Sequence, residues 1–101
     1  MTAAKQDALD LGAARVEIKL DFPVEMDGVQ VGVLRMRRAK VRDQLTAQRQ
    51  ANNDPAKTEV FLFALLCEIA PASLDDMDIC DYEKLRETYA GFRAGLSPKE
   101  P

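Results

Sequence analysis

The sequence predicts an α+β fold: an N-terminal antiparallel β-hairpin, its second strand bulged, packed on about three C-terminal α-helices. Three observations predict it. Residues 15–26 alternate without exception between apolar side chains and charged ones or Pro. Asp27-Gly28 follows at once. From residue 41 onward the apolar spacing changes from the two-residue period of a strand to that of helices.

In the first strand Val16, Ile18, Leu20, Phe22, Val24 and Met26 occupy the even positions, so one face is buried and the other wet. Asp-Gly tolerates positive φ at both central residues of a type I′ turn, which sets a two-residue hairpin loop. The return strand, about residues 29–37, starts in matching phase. With such a loop Met26 meets Val29, Val24 meets Val31 and Phe22 meets Val33. The apolar phase then slips from Val33 to Leu34 and Met36. One extra residue near Gly32 and Val33 would pair Phe22 with Leu34 and Leu20 with Met36, as a β-bulge does. Pro23 falls at a non-hydrogen-bonded position, where its missing N–H costs nothing on an edge strand.

Residues 41–51 carry a sparse stripe of Val41, Leu45 and Ala51, a surface helix. Asn52-Asn53-Asp54-Pro55 breaks the chain and restarts it, with Asp54 as N-cap and Pro55 at the first helical position. The next helix, about 55–70, holds a run from Val60 to Ile69 that only Glu68 interrupts, and Pro71 stops it. A short turn at 73–77 leads to a last helix, about 79–94, with Ile79, Tyr82, Leu85, Tyr89 and Phe92 on one stripe. Gly95 ends it. Residues 1–14 and 95–101 read as flexible tails, so about one domain (15–94) remains for the fold.

Composition narrows the function classes. The chain has 101 residues and no His, which removes the usual general base and the commonest zinc ligand. Cys67 and Cys80 suit neither a redox pair nor a disulfide framework. No apolar run reaches the length of a membrane span, and no signal-peptide core precedes the domain. The expectation is a cytoplasmic, non-enzymatic domain with no cofactor and no metal. The acidic cluster of Asp75, Asp76, Asp78, Asp81 and Glu83 lacks the central Gly of a calcium loop and reads as helix capping.

Two features point to a partner. Arg35, Arg37, Arg38, Lys40 and Arg42 form the one basic run. The chain is nevertheless acidic, with net charge −3, and no aromatic interleaves the run, so nucleic acid is the weakest reading. The first is a solvated strand end and helix start, and the charge polarity suits intramolecular pairing or an acidic protein partner equally well. A helix apolar all round must also be covered all round. Phe61, Leu62, Leu65 and Leu66 are therefore candidates for a patch buried by a partner or by a second copy, as an alternative to a central core helix.

The order of pieces resembles the small tail assembly chaperones of contractile-tailed phages and prophages. The motifs that carry the resemblance are Phe22-Pro23-Val24, Asp27-Gly28, Leu34-Arg35-Met36-Arg37-Arg38, Val41-Arg42-Asp43, the apolar helix, and Leu74-Asp75-Asp76-Met77-Asp78-Ile79-Cys80-Asp81-Tyr82. Ala39 departs from the pattern, standing where such sequences often have Pro. The resemblance implies a non-enzymatic factor that binds the tape-measure protein, keeps it soluble until the tail tube forms around it, and is absent from the mature virion. It also implies a longer frameshifted form of the same chain as a second partner. The competing expectations are a small nucleic-acid-binding regulator using the basic run and a minor structural tail protein.

Overall fold

Alternating apolar residues and an Asp-Gly turn produce the hairpin that the sequence predicts. A computed structural model describes residues 15–95; the tail readings for 1–14 and 96–101 lie outside the described residues. Strand β1 spans Arg15–Met26 and β2 spans Val29–Arg37, paired antiparallel. Asp27 and Gly28 take φ of 52° and 80°, the left-handed pair that a type I′ turn requires.

The register changes partway along, though not as the sequence suggests. Near the turn Val24 faces Val31 and Met26 faces Val29, while at the far end Ile18 faces Leu34 and Val16 faces Met36. Between Lys19 and Val24 four residues of β1 (Leu20, Asp21, Phe22 and Pro23) stand against Gly32 alone. The extra length therefore lies in β1, and the expected pairings of Phe22 and Leu20 with Leu34 and Met36 do not form. Both arrangements shift the register by an odd number of residues, which is what the slip from Val33 to Leu34 demands. The physical reason for the choice is the Asp81 carboxylate, which takes up the backbone N–H groups of Asp21 and Phe22 at 2.9 Å each. Phe22 is consequently exposed.

Helix α1 spans Val41–Gln50, α2 Pro55–Cys67 and α3 Ile79–Arg93, with a 3-10 turn at Pro71–Leu74. The side chain of Asp54 accepts the N–H of Lys57 at 3.0 Å at the start of α2, and Pro55 occupies the first turn. The helix ends at Cys67, three residues before the sequence expectation, because Glu68 takes the left-handed conformation (φ 60°). Ile69 N–H then closes back on the Ala64 carbonyl at 3.0 Å, as in a Schellman-type C-cap. Asp78 caps α3 by accepting Cys80 N–H at 2.9 Å.

The core lies between the inner sheet face and α2, with α3 closing one side. Met36, Phe63, Leu66 and Leu85 are fully buried, each worth about 1.5–3 kcal/mol relative to exposure. The Phe63 ring meets Tyr82 at 5.5 Å and Tyr89 at 5.6 Å between centroids. Helix α1 does not use the stripe expected of it. Of that stripe only Ala51 is buried; Val41 and Leu45 are exposed, and Asp43 and Ala47 face inward in their place. Arg37 fixes this rotation by holding Asp43 through two bonds of 2.9 and 3.0 Å, and the two alanines permit close packing on α2. Ile79 likewise falls outside the buried stripe of α3.

Candidate partner-binding surface

Helix α2 is covered by the sheet along one side and only partly along the other. Its residues Pro55, Thr58, Glu59 and Leu62, spaced as one helical face, form the floor of an open groove. Its walls are the start of α1 with its preceding turn, at Ala39, Lys40, Val41 and Gln44, and the end of α3, at Tyr89, Phe92 and Arg93. The groove holds about 550 Å³. Val41, on its rim, is the most exposed large apolar residue of the described chain at 78%. A smaller groove of about 340 Å³ lies on another side of α2, lined by Val60, Phe61 and Pro71 among others.

Electrostatics in the larger groove favour negative charge. Glu59 is neutralised, since it accepts the Tyr82 hydroxyl at 2.9 Å and pairs with Arg86 at 3.1 Å. Tyr82 is thereby shifted well above the usual phenol range, first by burial and then by this carboxylate. Lys40 and Arg93 form no ion pair with another described residue. Among the described residues they are two cations without an ion-pair partner, beside a floor that mixes Pro55 and Leu62 with Thr58 and the neutralised Glu59.

The four apolar candidates of α2 do not form one patch. Leu62 and Leu66 are core residues at 3% and 0% exposure, and Phe61 and Leu65 are half-buried. The helix period separates them: 62 and 66 share the inner face, 61 and 65 the outer one. Leu62 keeps an edge on the floor of the larger groove and Phe61 lines the smaller one.

The basic candidates are placed largely within the protein. Arg35 pairs with Glu17 across the strands at 3.1 Å on the exposed face. Arg37 is held by Asp43, whose hydrogen bonds raise the guanidinium above its ordinary range. Arg38 lies 5.0 Å from the Phe92 ring centre and donates to the Phe92 carbonyl at 3.2 Å, so it braces the α3 wall. Sequence reasoning had Lys40 only as part of the basic run and missed Val41, Tyr89, Phe92 and Arg93 as groove residues. Besides that run, the signal was Val41, an apolar residue on a helix too polar to need it.

Asp21, Cys80 and Asp81 bring three donor atoms within 4.8 Å of one another, yet the arrangement does not suit a metal ion. Both Asp81 oxygens accept backbone N–H groups, and the Lys84 ammonium stands 3.2 Å from Asp81 and 3.3 Å from Asp21. Hydrogen bonding to Asp78, then burial and neighbouring carboxylates, pushes the Cys80 thiol up to about 11, far from a metal-binding thiolate. Among the described residues no helix is long and apolar enough to cross a membrane.

Comparison with known proteins adds one match. No curated protein and no solved structure matches the chain. Residues 17–93 match the family described as phage tail assembly chaperone proteins, E, or 41 or 14. The matched span runs from the first strand through α3 and takes in the hairpin, the Asp81 contact and every residue of the groove. The chain belongs to the phage tail assembly chaperone family.

Proposed function

We propose that this protein binds the tape-measure protein of a contractile-tailed phage or prophage and keeps that long helical chain soluble until the tail tube assembles around it. It acts by binding rather than catalysis, in the host cytoplasm, and is left out of the mature virion. The observation that supports this reading best is the groove lined by α1, α2 and α3, on whose rim Val41 is exposed and open to an apolar stripe. A helix laid in such a groove buries the surface through which tape-measure chains would otherwise associate with one another. The internal use of Arg35, Arg37 and Arg38 favours a protein partner over nucleic acid. A longer frameshifted form would share the same groove.

Co-expression tests the reading. The tape-measure protein is expected in the soluble fraction with this chain and in the pellet without it, and the two are expected to co-purify. A tape-measure protein that is equally soluble alone, or that never co-purifies, overturns the proposal. Detection of the chain in purified particles would instead identify a structural tail subunit.

A further inference from the structure

The lining of the larger groove specifies more than apolarity. None of its residues belongs to a strand: they come from three helices and the turn before α1. A bound chain therefore finds no sheet edge to extend, and its own backbone must be satisfied internally, as a helix does. The three helical surfaces present residues at turn spacing: 55, 58, 59 and 62 on α2, 41 and 44 on α1, and 89, 92 and 93 on α3.

Charge then selects the flanks of that helix. Lys40 and Arg93 both line the groove without an ion-pair partner among the described residues, and the groove's one carboxylate, Glu59, is already occupied by Tyr82 and Arg86. The groove thus carries net positive charge on a chain whose total is −3. We infer that its occupant is an amphipathic helix whose apolar stripe is bordered by Asp or Glu, with the acidic residues meeting Lys40 and Arg93. This deepens the proposed function and rests on it for the identity of the partner: within a tape-measure protein, the bound segments are those whose apolar stripe has acidic borders.

Three labelled peptides of equal length test it: a Leu-striped helix with Glu flanks, the same stripe with Lys flanks, and the Glu-flanked peptide broken by a central Pro. Fluorescence anisotropy against the full chain is expected to rank the Glu peptide first, by about tenfold over the Lys peptide at low salt, and less as salt rises. The Pro-broken peptide is expected to bind weakly. In the double variant Lys40→Glu, Arg93→Glu, both exposed positions, the preference reverses while circular dichroism shows the same folded protein, with a slightly lower melting temperature because Arg93 stands in the last turn of α3. Equal binding of Glu and Lys peptides, or a preference that survives the double charge reversal, overturns the inference. The double variant also separates the two proposals. If it still rescues a tape-measure protein, the charge rule fails and the chaperone reading stands. If the Glu peptide binds but no tape-measure protein is rescued by the unaltered chain, the charge rule stands and the chaperone reading fails.

Discussion

The Asp81 carboxylate, fully buried at the start of α3, accepts the backbone N–H of Phe22 at 2.9 Å and that of Asp21 at the same distance. A side chain thus stands in for a missing strand where β1 leaves its register, and it satisfies both of these donors. Lys84, one turn further along α3, donates to the Lys19 carbonyl at 2.8 Å and pairs with Asp81 at 3.2 Å. Together these contacts fasten the last helix to the first strand. Asp81→Ala strands two backbone donors and an ammonium, and is expected to cost about 3 kcal/mol. Asp81→Asn keeps the shape but turns an N–H₂ toward a donor, and should recover only part of that loss. Urea denaturation of the two variants checks the order.

Arg37 and Asp43 do comparable work at the other end of the hairpin. The two-pronged contact ties the last residue of β2 to the first turn of α1, and Asp43 also accepts the Lys40 N–H at 2.8 Å. Arg37→Lys retains the charge and loses the fork geometry, so it is expected to behave nearly as Arg37→Ala does. Asp43→Ala loses the cap as well and should cost about 2 kcal/mol. A double-mutant cycle on the pair is expected to show coupling of about 1 kcal/mol or more by thermal denaturation.

Both carboxylates predict the direction of acid sensitivity. Hydrogen bonding to Arg37 holds Asp43 below the usual range against the upward push of burial. Burial pushes Asp81 up, and the Asp21 and Phe22 N–H groups with Lys84 more than offset it, leaving a lowered value. A carboxyl depressed on folding contributes stability that is complete above its unfolded value, about 3.9, and is lost as pH falls through the lower folded value. Stability is therefore expected to be flat near neutrality and to fall below about pH 4. In Asp43→Asn and Asp81→Asn variants the acid-side slope should be shallower, as read from melting temperatures between pH 6 and 2.5. An unchanged slope in both would mean that other groups govern acid unfolding.

The thiols give a chemical check on the packing. Burial pushes Cys67 up to about 12, and the carboxylates around Cys80 push it up to about 11 despite its exposure. At neutral pH one slow reaction with a chromogenic disulfide reagent is expected from the native protein, and two in denaturant. Two fast native thiols would place Cys67 outside the core.

How much of this was legible depends on what each signal encodes. Alternation from Val16 to Met26 and the Asp27-Gly28 pair are local, and both strands, the turn and the α+β class follow from them. The slip from Val33 to Leu34 encodes the parity of a register shift but not its strand, because one extra residue in β2 and three in β1 satisfy the same inner face. Asp81, 59 residues from Phe22, makes that choice, and no local pattern announces it. The Val41 and Leu45 part of the α1 stripe failed for the same reason, while Ala51 is buried as expected: Asp43 looks like a surface residue until Arg37 is placed beside it. The α2 candidates were chosen for excess apolarity, yet a three-sided cover of sheet, α1 and α3 absorbs Leu62 and Leu66, and uncovered apolar residues turn up elsewhere, among them Val41 and Leu45 on α1 and Ile79 on α3.

That reassignment makes the last prediction. Leu62 and Leu66 are 3% and 0% exposed, Val41 and Leu45 78% and 50%. Leu66→Ala removes buried carbons from a packed core and is expected to cost about 2–5 kcal/mol; Leu62→Ala should fall at the low end, since its cavity opens onto the groove floor. Val41→Ala and Leu45→Ala touch little and should stay within about 0.5 kcal/mol. Function should sort the other way. Val41→Asp is expected to leave the melting temperature unchanged while weakening capture of a tape-measure protein, because a carboxylate on the groove rim opposes both apolar contact and acidic flanks. Leu45→Asp, which does not line the groove, should leave capture intact. Equal loss of capture in the two Asp variants would move the binding surface from the groove to the exposed face of α1.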